Sequence, residues 1–191
     1  MINAVQAARR DPQAARRDNL LGAFALAVAD RIRGEAEGAV GHSGAAAGAL
    51  VTIAQFPDRT VEDLRRAVGL SQPAAVRVVD RLVADGLVER RAAGRGPAVA
   101  LSTTSAGRRR ARRILELRRR VLAEALPELS PAEASTLAEV LERALARMSD
   151  SPGTTICRLC DMGRCRRVAC PVVARQIELG LPPPEALPID D

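Results

Sequence analysis

The four cysteines of the chain lie together near its C-terminal end, with the spacing C-x2-C-x4-C-x4-C. A two-residue gap forms a metal-binding knuckle, and four-residue gaps let the backbone wrap round the same ion. Four thiolates in so short a segment form the ligand set of a structural zinc site. The spacing therefore predicts a metal centre whose ligands are Cys157, Cys160, Cys165 and Cys170.

Three chemical interpretations of this cluster stay open. The spacing equals that of a CCHC zinc knuckle with the third ligand changed to cysteine, which favours zinc as the cofactor. The closing pair Cys170-Pro171 resembles the end of an iron–sulfur loop, although such loops have tighter spacing, so an iron–sulfur cluster is the alternative cofactor. Without a metal, thiols in the cytosol would sense oxidants rather than form permanent disulfides. In each case the segment acts either as a switch or as a structural cap on the helix before it.

Residues 60–85 have the pattern of a helix-turn-helix. Thr60 can cap a short helix over 61–68, Gly69 supplies a turn, and Ser71 can cap a second helix. The second helix has an apolar stripe at i, i+3, i+4 and i+7, which we expect to be buried: Ala75, Val78, Val79 and Leu82. Its outward face then carries Gln72, Val76, Arg77 and Arg81, while Pro73 is tolerated in the first turn.

A β-hairpin is predicted directly after this second helix. Asp85-Gly86 ends the helix, and strands over 87–91 and 99–101 flank a tip that contains Arg95. A hairpin that follows a helix-turn-helix makes a winged helix. This predicts a protein that binds double-stranded DNA.

Composition and charge agree with a nucleic-acid partner. The chain has 29 basic and 23 acidic residues, a net charge of +6, and arginine as its only basic side chain apart from one histidine. Two phenylalanines and no tryptophan or tyrosine argue against a single-strand binder that stacks bases on aromatic rings. No apolar run reaches the roughly 18 residues of a membrane span, so we expect no membrane partner.

The remaining segments predict helices. A helix through 21–32 follows an N-terminal extension, 1–17, that is flexible or helical; residues 34–44 form a loop, and an apolar helix covers 45–55. Arg16-Arg17 before an apolar run leaves a secretory leader as an alternative, but the helical spacing continues past that run, so we expect a cytoplasmic chain. Long helices follow over 105–126 and after the cap Ser130. The last has an apolar stripe: Leu137, Val140, Leu141, Leu145 and Met148.

The segment LSQPAAVRVVDRL over 70–82, followed by DGLVER over 85–90, resembles the recognition helix and first wing strand of the MarR (multiple antibiotic resistance) family of bacterial regulators. The order of elements agrees over about residues 18–149, with Thr104-Ser105-Ala106-Gly107 similar to the family's usual entry to its fifth helix. The resemblance implies a mainly α fold, a winged helix-turn-helix with a small β-hairpin wing and a helical dimerisation domain. It divides the chain into a dimerisation domain over 18–56 and 104–149 and a DNA-binding domain over 57–103. The cysteine spacing adds a metal-binding tail over 150–191, outside the resemblance.

The resemblance also implies partners and contacts. A homodimer would present two winged lobes to a pseudo-palindromic operator and act as a repressor, with a small-molecule effector as a further partner. Arg77 would contact a base or phosphate, Ser71 would combine cap and phosphate donor, Arg81 would pair with a nearby acid, and Arg95 would enter the minor groove. The chain departs from the family where Pro73, Ala74 and Val76 replace the usual serine or threonine, and where the wing tip lacks an aspartate.

Other charged residues have less specific interpretations. Eight arginines and one glutamate lie between 108 and 120, which would flank a DNA backbone, stay solvated, or pair with the acidic segment 124–142. His42, the single histidine, is interpreted as a loop residue. No nucleophile, base and orienting group form a recognisable catalytic set, so we expect no enzymatic activity. The alternative function is a zinc or iron–sulfur protein that acts through protein association, with a degenerate helix-turn-helix.

Overall fold

The computed structural model of the chain describes residues 11–42, 44–92, 99–149, 155–164 and 169–181. The described elements are helices with one two-stranded antiparallel sheet. In chain order they are α1 (Pro12–Val40), α2 (Ala46–Gln55), α3 (Val61–Val68), α4 (Gln72–Ala84), β1 (Val88–Ala92), β2 (Val99–Thr103), α5 (Ser105–Ala125), α6 (Pro131–Arg147), a 3-10 helix (Ile156–Leu159) and α7 (Pro171–Glu178). The predicted fold class, a mainly helical winged helix-turn-helix, is confirmed. Among the described helices none is long and apolar enough to cross a membrane.

Helix α1 is longer than the sequence suggests. The predicted loop over 34–44 is wrong, because α1 continues to Val40 and ends at Gly41, which adopts φ 80°. Ala36 and Val40 lie one turn apart and are each 3% exposed, so both belong to the core. Their burial outweighs the helix-weakening effect of Gly34 and Gly38, which is about 1 kcal/mol per glycine.

Helix α2 occupies the centre of the molecule. Ala49, Leu50 and Val51 have no exposed surface, and the helix contacts α1, α3, α4, α5, β2 and the 3-10 helix. The prediction that this helix is apolar nearly all round is confirmed. Because it is rich in alanine and glycine, the surrounding elements approach its backbone closely.

The wing is a short antiparallel hairpin. Val88 pairs with Thr103 and Ala92 with Val99, within two residues of the expected strand bounds. A third segment joins it: the Leu101 N–H donates to the Arg59 carbonyl at 2.8 Å, and the Asp58 N–H donates to the Leu101 carbonyl at 2.9 Å. The hairpin is thereby fastened to the start of the helix-turn-helix.

The junction between wing and α5 depends on a close backbone approach at Gly107. Thr104 caps α5, with its Oγ1 accepting from the Gly107 N–H at 3.0 Å and donating to the Gly86 carbonyl at 2.7 Å. A Cβ added at Gly107 would lie 1.9 Å from the Leu87 carbonyl oxygen. Only glycine lets α5 begin this close to the hairpin.

Helix α6 stands apart from the body of the chain. Its predicted start is confirmed, since Ser130 and Glu133 form a reciprocal capping box. Within the described residues its extensive contacts are with α7 alone, and no residue of α6 itself is buried. The predicted apolar stripe is therefore open in the single chain, with Val140 and Leu141 each 47% exposed.

Replacing Gly107 by alanine tests the wing junction. We expect Gly107→Ala to lower the free energy of unfolding by about 3 kcal/mol, because overpacking against backbone cannot relax through a side chain. Gly38→Ala is the matched control: its Cβ would meet nothing within 4 Å, and alanine in a helix should stabilise by about 0.5–1 kcal/mol. Urea unfolding followed by circular dichroism measures both, and equal stabilities would refute the close approach.

Candidate nucleic-acid interface and metal centre

The helix-turn-helix is built from local capping and ion pairs. The Asp63 N–H donates to Thr60 Oγ1 at 3.2 Å while the Thr60 N–H donates to Asp63 Oδ2 at 2.9 Å, which completes a capping box. Hydrogen bonds from Arg65, with a further one from Arg66, lower the pKa of Glu62 to about 2. The carboxylate thus stays ionised at neutral pH and orients both guanidinium groups on α3.

Helix α4 presents the face that the sequence predicts. Ala75, Val79 and Leu82 are completely buried, and Val78 is half-buried. The opposite face is exposed and consists of Gln72, Pro73, Val76, Arg77 and Arg81. Arg77 forms no ion pair with any described residue, so its guanidinium group is available to an external partner.

Two expectations about this face are corrected. Ser71 occupies the N-cap position of α4, but its side chain makes no capping hydrogen bond. A capping hydroxyl accepts from the second or third helical N–H, and the second helical residue here is Pro73, which has none. Arg81 forms no ion pair within the described ranges; the acid of α4 instead pairs with β1, where Arg90 Nη2 lies 2.6 Å from Asp80 Oδ1.

Residues at the ends of the winged helix-turn-helix were also singled out by the sequence. Arg95 and the wing tip, 93–98, lie outside the described residues. His42, expected as a loop residue, does lie between α1 and α2, and its Nε2 pairs with the carboxylate of Asp85 at the end of α4. Sequence spacing gave no signal for this contact, because the two residues lie on different elements.

Some arginines of α5 make contacts within the fold, and others form no ion pair with a described residue. Arg110 donates to the Ala39 carbonyl of α1. Glu124, from the acidic segment that was one alternative partner of this cluster, pairs instead with Arg31 of α1 at 2.6 Å. The following exposed arginines form no ion pair with described residues: Arg109, Arg112, Arg113, Arg119 and Arg120.

The cysteine segment brings two thiols into contact. Cys157 and Cys160 lie at the 3-10 helix, where the Cys160 N–H donates to the Cys157 carbonyl at 2.9 Å and closes a tight turn. A hydrogen bond from the Cys157 thiol, supported by the nearby Arg118, lowers the pKa of Cys160. The same hydrogen bond, together with burial, raises the pKa of Cys157.

The other two cysteines are placed differently. Cys170 is the N-cap residue of α7 and is a free thiol, like Cys157 and Cys160. Cys165 lies outside the described residues. Among the side chains that the structure describes, no three of histidine, cysteine, aspartate or glutamate form a group that could hold a metal ion.

The segment does not lie where a simple cap on the last helix would place it. In a cap on α6, Ile156 and Leu159 would pack on that helix, but the 3-10 helix packs against α2 and α3, and Leu159 contacts the core. Among the described elements α7 is the one that packs extensively on α6, with Val172 buried. The tail is therefore shared between the helix-turn-helix and the α6–α7 pair, a division that no sequence pattern indicated.

Comparison with known proteins is informative over the body of the chain. Residues 41–96 match the model of the MarR family. A MarR family protein from Bacillus stearothermophilus is 26% identical, with a TM-score of 0.61 over 71% of this chain and 95% of that one. YusO from Bacillus subtilis is 19% identical, with a TM-score of 0.58 over 70% and 96%. A MarR family transcriptional regulator from Listeria monocytogenes, in complex with 26mer DNA, is 20% identical, with a TM-score of 0.53 over 69% and 88%.

These likenesses have a clear boundary. The fold is that of MarR family winged-helix proteins, and the family match includes α4 and β1. It ends at residue 96, so it does not extend to the cysteine segment. A search of curated protein sequences finds no match.

Proposed function

We propose that the chain is a transcriptional repressor that binds double-stranded DNA as a homodimer and holds a zinc ion on its four cysteines. The observation that carries the DNA-binding part is the outward face of α4, where Arg77 is exposed and makes no ion pair with a described residue. The similarity to the regulator solved with 26mer DNA supports the same conclusion.

The contacts follow from the geometry of the helix-turn-helix. Arg77 would donate to a base edge or a phosphate in the major groove. The Ser71 hydroxyl, which makes no capping bond, remains available to a phosphate. The Arg90–Asp80 ion pair fixes the wing against α4, so both elements would approach the duplex together.

The homodimer is supported by apolar surface that the single chain leaves open. On α1, Leu21 is 61% and Leu26 68% exposed; directly after α6, Met148 is 67% exposed. Among the described elements α6 has extensive contacts with α7 alone, so a second copy of the chain would supply the missing partner. A two-fold dimer matches a pseudo-palindromic operator.

The zinc site is supported by the chemistry of its donors. Cys157 and Cys160 already share a knuckle turn, and Arg118 supplies positive charge near Cys160. Four thiolates would hold zinc tetrahedrally, with Cys165 and Cys170 completing the set.

An anionic effector is the further proposed partner, because the cavity of about 590 Å³ between α1 and α5 is lined by Arg109, Arg110 and Arg113.

The DNA-binding part is tested with Arg77→Ala. Selection from random duplex DNA provides a high-affinity sequence, and the variant should bind it roughly 10-fold or more weakly, since a base contact contributes about 1–3 kcal/mol. Arg16→Ala, an exposed arginine of α1, is the matched control and should bind normally. Failure of the unmodified chain to bind duplex DNA, at any salt concentration, would favour the alternative of a metal protein that acts through protein association.

The dimer is tested with Leu141→Asp. A charge within the apolar stripe should shift the chain from dimer to monomer in analytical ultracentrifugation, because a buried unpaired carboxylate opposes association. Glu139→Gln leaves the stripe intact and should remain dimeric. A monomeric unmodified chain at micromolar concentration would contradict the proposal.

The metal centre is tested by the composition of protein purified without oxygen. We expect colourless protein with one zinc per chain, and loss of that zinc in Cys170→Ser but not in the control Met162→Leu. The absence of tryptophan and tyrosine keeps the near-ultraviolet background low. Brown protein with iron and sulfide would replace zinc by an iron–sulfur cluster, and protein without any metal would refute the centre.

A further inference from the structure

Gln176 of α7 is buried without satisfying its polar groups. Its side chain has no exposed surface, yet neither the Nε2 nor the Oε1 atom has a hydrogen-bond partner. Buried amides in native proteins are almost always hydrogen-bonded, because the bonds to water that burial removes must be replaced. Ser149, which is equally buried, meets this requirement, since its hydroxyl donates to the Leu145 carbonyl at 2.6 Å. Gln176 does not meet it.

The buried amide lies on the face of α7 that packs on α6. Val172 and Gln176 are one turn apart and are the buried residues of α7, and among the described elements α7 has extensive contacts with α6 alone. Ile177, on the other side of the helix, is 62% exposed. One of the two residues that hold α7 in place is therefore a polar group that bulk water would satisfy better than the protein does.

This arrangement attaches α7 weakly. The helix has eight residues, and Val172 is its one buried apolar side chain. Its N-cap residue, Cys170, makes no capping hydrogen bond through its side chain. Detachment of α7 would return both polar groups of the Gln176 amide to water, which offsets part of the loss of packing. The contact between α7 and α6 therefore opens at low cost.

The apolar stripe of α6 is covered at one end and open in the middle. Leu145 and Ala146, in the last turns of α6, are half-buried, whereas Val140 and Leu141 are each 47% exposed. The stripe over 137–148 keeps to one side of the helix, so its covered and open parts belong to the same apolar face. A partner helix that packed along the whole stripe would need the part that α7 occupies.

We infer that the end of α6 beneath α7 is part of the dimer interface, that a second copy of the chain occupies it, and that α7 leaves α6 when the dimer forms. The inference rests on the proposed homodimer. The stripe of a second α6 offers apolar side chains in place of the unpaired amide, so the exchange hydrates Gln176 and extends the buried apolar area. In the single chain α7 competes with the second copy, and the apparent dimer affinity is reduced to the fraction of chains whose α6 is uncovered.

The test measures the dimer dissociation constant of the full chain by sedimentation equilibrium over a range of concentrations. In Gln176→Leu an apolar side chain of similar size replaces the unpaired amide, so α7 should hold α6 more tightly and the dissociation constant should rise about 10-fold. In Val172→Asp a carboxylate replaces the buried apolar group, which should release α7 and lower the dissociation constant. Ile177→Gln, on the exposed side of α7, is the matched control and should dimerise as the unmodified chain does.

Hydrogen exchange of backbone amides provides a second measurement that needs no variant. A detached helix of eight residues does not stay helical in water, so its amides lose their protection. The α7 amides of the unmodified chain should therefore exchange faster in concentrated, dimeric solution than in dilute, monomeric solution. The amides of α2, which lie in the core, are the internal control and should exchange equally at both concentrations.

The outcomes separate displacement of α7 from the dimer itself. Equal dissociation constants in the unmodified chain, Gln176→Leu and Val172→Asp would overturn the inference and leave the homodimer standing. A tighter dimer in Gln176→Leu, or α7 amides that exchange no faster in the dimer, would also overturn it, because α7 would then stay on α6. Monomers in all four forms at micromolar concentration would overturn the homodimer and the inference with it.

Discussion

Close packing around α2 is the constraint on which the other features depend. This ten-residue helix has no face that points to solvent, and it contacts the long helices, both helices of the helix-turn-helix, one wing strand and the cysteine segment. Its small residues favour this arrangement: at Gly48 an added Cβ would lie 3.6 Å from the backbone oxygen of Arg158, in the cysteine segment. A shift of one neighbouring element would therefore displace the others, since a packed interior deforms little.

Local signals predicted much of the structure. The caps Thr60 and Ser130, the Gly69 turn and the buried stripe of α4 were all readable, because each involves residues within a turn or two of one another. The loop predicted over 34–44 was wrong because the glycines of this segment indicated the end of a helix. Burial of Ala36 and Val40 against the rest of the fold favours a continued helix, and the sequence alone does not reveal that burial. The docking of the cysteine segment on Gln55 was not predictable, since it joins residues more than a hundred positions apart.

Use of arginine as the only strong base also limited prediction. Because the chain has no lysine, residue type alone does not distinguish the arginines that support the fold from those that are free to contact a partner. The structure separates them by geometry: Arg65, Arg90 and Arg110 bind acids or carbonyls of the same chain. Arg77 binds no acid or carbonyl of a described residue. The candidate DNA contacts were predicted by residue number, whereas the ion pair that positions the wing, Arg90 with Asp80, was missed.

The docked cysteine segment covers the helix-turn-helix turn of its own chain, which has a consequence for the changes that the sequence tolerates. Residue 69 is constrained twice, because its left-handed backbone favours glycine and because a Cβ there would lie 2.6 Å from the Thr155 methyl group. Substitutions at positions 69 and 155 are therefore coupled in their effect on stability, although the two residues belong to different segments of the chain.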